Sequence, residues 1–129
     1  MAMNTMSYDI ELRHPVTGET LQLDAPHHMR GGTYQVGGTT EARLSVTYNY
    51  APHFITAFGG SAEGSERGIR KLYGMTGAES IPFLEAGAAK LGDDVDQDYW
   101  KPTEGNAKAA IMQLLALARM RPDGVWHGD

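Results

Sequence analysis

Glu41 to Phe58, EARLSVTYNYAPHFITAF, constrains the fold more than any other stretch of this chain. Ala42, Leu44, Val46, Tyr48 and Tyr50 alternate with Glu41, Arg43, Ser45, Thr47 and Asn49, the period-two pattern of a half-buried strand. Pro52 then fixes φ and removes a donor, which suits the first turn of a helix. His53, Phe54, Ile55, Ala57 and Phe58 continue at helical spacing to Gly59 and Gly60. A strand passing straight into a helix sets its last polar side chains beside free helix N–H groups, a place suited to an anion or a polar ligand. Thr47, Asn49, Tyr50 and His53 stand at that seam.

The rest of the chain reads as strands first and helices after. Tyr8, Ile10 and Leu12 alternate with Asp9, Glu11 and Arg13. A Pro15–Gly18 turn and a second short alternation around Leu21 and Leu23 then predict an N-terminal β-hairpin. Residues 26–32 form a loop, Thr33 to Val36 a short strand, and Gly37–Gly38–Thr39 a turn back into the central strand. Gly32 and Gly37 have the outer spacing of a phosphate-cradling loop, but Gly38–Thr39 stands where that motif needs lysine. Gly59 to Glu66 is a small, polar surface loop, and its Ser61 lacks the second glycine of a nucleophile elbow.

Arg67 to Tyr73 is predicted as a short helix with Arg67, Arg70 and Lys71 on one face, a basic cluster in an acidic protein. Thr76 and Glu79 form a capping box ahead of the stripe Ile81, Leu84, Ala88 and Leu91. Pro82 sits awkwardly deep for that start and would suit one at Ser80 better. Asp94, Asp96 and Asp98 copy the first ligand positions of a calcium loop, but Tyr99 and Gly105 occupy the places of its glycine and its glutamate. That run reads as an acidic surface turn. Thr103 to Arg121 is the longest predicted helix, about 28 Å at 1.5 Å per residue. Its apolar face is wide enough to be contacted on two sides, by the sheet and by another helix or a second subunit, which points to a homo-oligomer. Val125 and Trp126 fold back as an apolar plug.

The expected fold is therefore one α+β domain spanning residues 1–129. A small antiparallel sheet, made of the N-terminal hairpin and the central strand 41–50, carries three to four helices on one face. The net charge of −5 disfavours duplex nucleic acid, whose affinity rests on phosphate neutralisation. With no cysteine, thiolate metal sites, disulfides and a cysteine nucleophile are excluded. The N-terminal segment has no secretory pattern and no stretch is apolar enough to span a membrane, so the expected location is cytoplasmic. The five histidines show no ligand spacing, and no metal, cofactor or catalytic set is assigned.

Aromatic residues with polar and basic neighbours are the better-represented chemistry: rings stack on nucleobases, while arginine and lysine neutralise phosphate. The leading expectation is a non-enzymatic, oligomeric binder of a small anionic, nucleotide-like ligand. Asn49, Tyr50 and His53 would orient that ligand, Arg70 and Lys71 would neutralise it, and Trp100 or Tyr34 would stack on it. The second is a protein-binding inhibitor or accessory protein that uses the acidic surface Asp93–Asp98 and an exposed apolar helix face. The third is a small enzyme with His53 as general base.

The runs TYNYAPHF, GIRKLYGMTGAES, DYWKPTEGNAKAAIMQLLALA and RPDGVWHGD, from Arg43 to Asp129, resemble a recurring type of small accessory protein of bacteriophages and prophages. The resemblance carries no activity and no site residue. It implies a non-virion accessory role in the host cytoplasm, such as countering host defence; sequestration of a nucleotide messenger is an analogy of size and setting and not a motif match.

Overall fold

The computed structural model describes residues 7–27, 38–60 and 68–129. Within them, β1 (Ser7–Arg13), β2 (Gln22–His27), β3 (Thr39–Glu41) and β4 (Arg43–Thr47) precede α1 (Ala51–Phe58), α2 (Gly77–Ala89) and α3 (Glu104–Met120), and β5 (Val125–His127) closes the order. The architecture is α+β with small antiparallel sheets, as the strands-then-helices order predicts.

The strands divide between two sheets. One has the order β4–β1–β5, with Ile10 opposite Leu44, Tyr8 opposite Val46 and Leu12 opposite Trp126. The other pairs β2 with β3 through a register shift. The predicted hairpin thus exists at its turn, where His14 N–H donates to Glu19 O and Leu21 N–H to Leu12 O, but its two strands then part company. Ala42 stands between them: it accepts from Leu12 N–H and donates to Leu21 O, and β4 takes the place beside β1 that β2 would have filled.

Alternation decides the buried face. Tyr8, Ile10 and Leu12 of β1, Leu44 and Val46 of β4 and Trp126 of β5 are buried, and the helices pack over them. The C-terminal plug is therefore a strand. Trp126 is fully buried, and its indole N–H donates to Ser80 Oγ at 2.8 Å, while Ser80 Oγ donates to Gly77 O.

Three further expectations are refined. Tyr48 to Tyr50 leave the strand as a 3₁₀ turn, capped by Thr47, whose hydroxyl accepts from Asn49 N–H. Residues Gly68–Leu72 form a second 3₁₀ turn instead of an α-helix, with Ile69 and Leu72 buried. The capping box of Thr76 and Glu79 forms in full and starts α2 at Gly77, so Pro82 lies within the helix. Reciprocal satisfaction of two end N–H groups outweighs the one bond that Pro82 cannot donate. Thr103 caps α3 as expected, accepting from Asn106 N–H. The expected strand 33–36, Tyr34, Arg30, Arg67 and Ser61 lie outside the described residues. No helix among the described residues is long and apolar enough to cross a membrane.

Candidate functional site

The seam between β4 and α1 holds a segment of this chain. Asn49 Nδ2 donates to Trp100 O at 2.8 Å, the buried Tyr50 hydroxyl donates to Tyr99 O, and His53 Nε2 meets Pro102 O at 2.7 Å. A carbonyl only accepts, so the His53 bond fixes the tautomer with its proton on Nε2. Three expected ligand-orienting side chains therefore converge, and what they hold is the main chain of residues 99–102.

The same segment is gripped from α3. Asn106 Oδ1 accepts from Asp96 N–H at 2.9 Å, and Asn106 Nδ2 donates to Asp98 O and Lys101 O, both at 3.0 Å. Gly105 lets the segment lie against the helix, because a Cβ there would stand 2.5 Å from Asp94 C and Val95 N. Asn106 and Gly105 thus hold the segment against α3, and no motif flagged them. The available signal was an asparagine in the first turn of a helix, a residue type that competes for backbone groups.

The aspartates are largely engaged. Asp93 pairs with Lys108 at 2.7 Å, and Asp94 accepts from Gly105 N–H at the N-terminus of α3. Asp96 accepts from Asp98 N–H and pairs with Lys101 at 3.4 Å, and Asp98 accepts from Trp100 N–H. The Asp98 N–H bond, helped by Lys101, holds the Asp96 carboxyl below the usual carboxylate range. No group of three or more metal-ligating side chains occurs among the described residues.

Held at its backbone, the segment presents its side chains outward. Val95, Tyr99 and Trp100 are 67%, 38% and 49% exposed, three large apolar side chains gathered on one short segment. Between them and the core, Tyr50, Val95, Asp96, Tyr99, Asn106, Ala109 and Gln113 line a cavity of about 80 Å³. Burial, and then the Asp98 charge, push the Tyr50 hydroxyl up to about 12.

Arg70 and Lys71 lead elsewhere. Arg70 lies 4.9 Å from the Tyr8 ring centre and 5.8 Å from that of Tyr48, and its Nε donates to Asp129 O at 2.8 Å. Lys71 lies near Gly59, where a Cβ would stand 3.4 Å from its ammonium, beside the C-terminus of α1. The contacts of Arg70 (Tyr8, Tyr48 and Asp129) and those of Asn49, Tyr50 and His53 (Tyr99, Trp100 and Pro102) share no residue.

A larger cavity, about 400 Å³, lies between β2 and the end of α3. Gln22 to His27, Met120 and Arg121 line it, and Arg121 is tied there to Asp123 and Gln22 O. The chain matches no protein-family model, no curated protein and no solved structure at a significant level.

Proposed function

We propose that the protein is a non-enzymatic binding module that recognises a basic protein surface through the acidic and aromatic segment 93–102. One observation carries this reading: Asn49, Tyr50 and His53 bind the carbonyls of residues 99, 100 and 102, so that Trp100, Tyr99 and Val95 are displayed on a fixed backbone. Exposed tryptophan and tyrosine held in place are the residues that dominate protein interfaces, because little rotamer freedom is lost when they dock. The surrounding Asp94 and Asp98 and the net charge of −5 supply the complement to a lysine- and arginine-rich partner, Asp93 and Asp96 being paired with Lys108 and Lys101. The resemblance to phage and prophage accessory proteins gives a natural setting, inhibition of a host protein in the bacterial cytoplasm.

The test is affinity capture from a bacterial host lysate, comparing the wild type with two variants. Trp100→Ala removes the anchor. Asp94/Asp96/Asp98→Asn removes charge while leaving an acceptor oxygen for each backbone N–H those residues cap. A partner taken by the wild type and lost from both variants is the expected result. Capture undiminished in both, or none by the wild type, would sink the reading.

A small anionic, nucleotide-like ligand is the second reading, supported by the ring-stacked guanidinium of Arg70. Calorimetry with linear and cyclic nucleotides tests it, and binding that Arg70→Ala does not weaken would count against it.

A further inference from the structure

The residues around Arg70 form an anion-binding arrangement with an acidic residue already in it. Asp129 carries two acceptors, and three donors from two parts of the chain meet them. Arg70 Nε donates to its main-chain oxygen at 2.8 Å, Tyr73 OH donates to the same oxygen at 3.3 Å, and Asp9 N–H donates to its Oδ1 at 2.9 Å. The donors come from the 3₁₀ turn 68–72, the residue following that turn, and β1. The guanidinium is oriented by the rings of Tyr8 and Tyr48, and the neighbouring Asp9 carboxylate is engaged by Ser45 Oγ at 2.8 Å.

Asp129 reaches this position by an exposed path. Past His127 the β1–β5 ladder ends, and the Asp129 carboxylate supplies the acceptor that Asp9 N–H would otherwise find in a further strand residue. Gly128 lies flat on Tyr73, and a Cβ there would stand 2.4 Å from the ring. Both residues are exposed. A phosphate, or a molecule bearing several carboxylates, offers the same acceptors, and the arginine fork favours it.

We propose that Arg70, Tyr73 and the Asp9 N–H form a binding site for a small phosphate- or carboxylate-bearing molecule, and that Asp129 occupies it as an internal substitute for that ligand. The proposal rests on the second reading above and adds that the free site is a minor population. The apparent affinity of a ligand is then reduced by the fraction of molecules in which Asp129 has left.

The experiment measures binding of ADP, citrate and phosphate-free adenosine by calorimetry in magnesium-free buffer. The proteins are the wild type, Gly128→Ala, Asp129→Ala and Gly128→Ala/Arg70→Ala. Gly128→Ala forces the chain off Tyr73. Asp129→Ala removes the anchor on Asp9 without adding bulk; its main-chain oxygen still faces Arg70 and Tyr73 but is held by two bonds in place of three, so the tail leaves more often and a release variant remains even if Gly128→Ala folds poorly. ADP or citrate is expected to bind both release variants about tenfold more tightly than the wild type. Adenosine should fail to bind, and the Arg70 double variant should lose the gain. Equal, Arg70-dependent binding by the wild type and both release variants would leave the anion reading standing and overturn self-occupancy. No binding of ADP or citrate to either release variant would overturn both.

Discussion

Asn49 Nδ2 donates to the main-chain oxygen of Trp100 at 2.8 Å, joining the start of α1 to the segment before α3 across 51 residues of sequence. The bond is one of three, with those of Tyr50 and His53, that turn an irregular segment into a fixed surface. A loop with few buried apolar contacts opens locally unless polar bonds hold it, so these three side chains, together with Asn106, set its rigidity.

Tyr50→Phe keeps the buried ring and removes only the hydroxyl, leaving Tyr99 O with one donor fewer. We expect a loss of about 1 kcal/mol in global stability and a larger effect nearby. Amide exchange of residues 98–101 should accelerate at least tenfold while the β1–β4 ladder keeps its protection. Adding Asn49→Ala should accelerate those amides further. Unchanged exchange in the double variant would show that α3, through Asn106, holds the segment without help from the seam.

The same hydroxyl makes an alkaline prediction. Burial and Asp98 raise Tyr50 from an ordinary value near 10 to about 12, and Tyr73 is raised further by burial and Asp129. A group whose folded value is raised contributes stability that is complete below the unfolded value and lost as pH rises through the folded one. Stability should therefore be flat up to about pH 10 and fall between there and 12. Urea midpoints across that range, with absorbance at 295 nm to follow ionisation, check this. Tyr50→Phe should make the fall shallower.

Ser80→Ala tests the polar pair beneath the C-terminal strand. Trp126 Nε1–H has Ser80 Oγ as its acceptor and both residues are fully buried, so the alanine variant strands the indole donor. The expected cost is about 1–3 kcal/mol, read as a lower urea midpoint with an unchanged m-value. Ser80→Thr, which keeps the acceptor, should recover part of it. A serine buried on the apolar side of α2 had no evident purpose in sequence, because its partner lies 46 positions away.

That distance marks the limit of what the sequence conveys. Period-two alternation in Tyr8–Leu12 and Leu44–Val46 located both central strands and Thr103 the start of α3, because those signals are local, while Thr76–Glu79 signalled the start of α2 against the competing signal of Pro82, which favoured Ser80. Alternation says which face of a strand is buried but not which strand lies beside it. The parting of β1 from β2 at Leu21 and the place of β4 beside β1 depend on Ala42, whose backbone satisfies both neighbours. Asn49, Tyr50 and His53 were legible as a polar group at one seam. That the seam faces carbonyls of residues 99–102, and that Arg70 turns to Asp129, depends on tertiary approach, which residue type alone does not encode.

Helix packing gives a prediction in which two effects of opposite sign compete. Gly87 lies in α2 where glycine costs about 1 kcal/mol of helix propensity relative to alanine, so an exposed Gly87→Ala would stabilise. Here a Cβ would stand 2.1 Å from Phe58 Cε1, and Phe58 is buried and stacked on Phe83 with ring centres 4.6 Å apart, which blocks its movement on that side. Overpacking of this kind costs about 1–3 kcal/mol and should win, giving a lower melting temperature. Phe58→Leu in the Gly87→Ala background frees the volume and should recover stability relative to Gly87→Ala alone, a coupling that a double-mutant cycle measures directly. Gly105→Ala offers the contrast. Its Cβ would meet the backbone of Asp94 and Val95 at 2.5 Å, where no rotamer change relieves it, so shortening a neighbouring side chain should rescue nothing. The displaced 93–102 segment should then lose the exchange protection that Tyr50 and Asn106 give it. If Gly105→Ala left that protection intact, the close approach of the segment to α3 would have no part in holding the display surface.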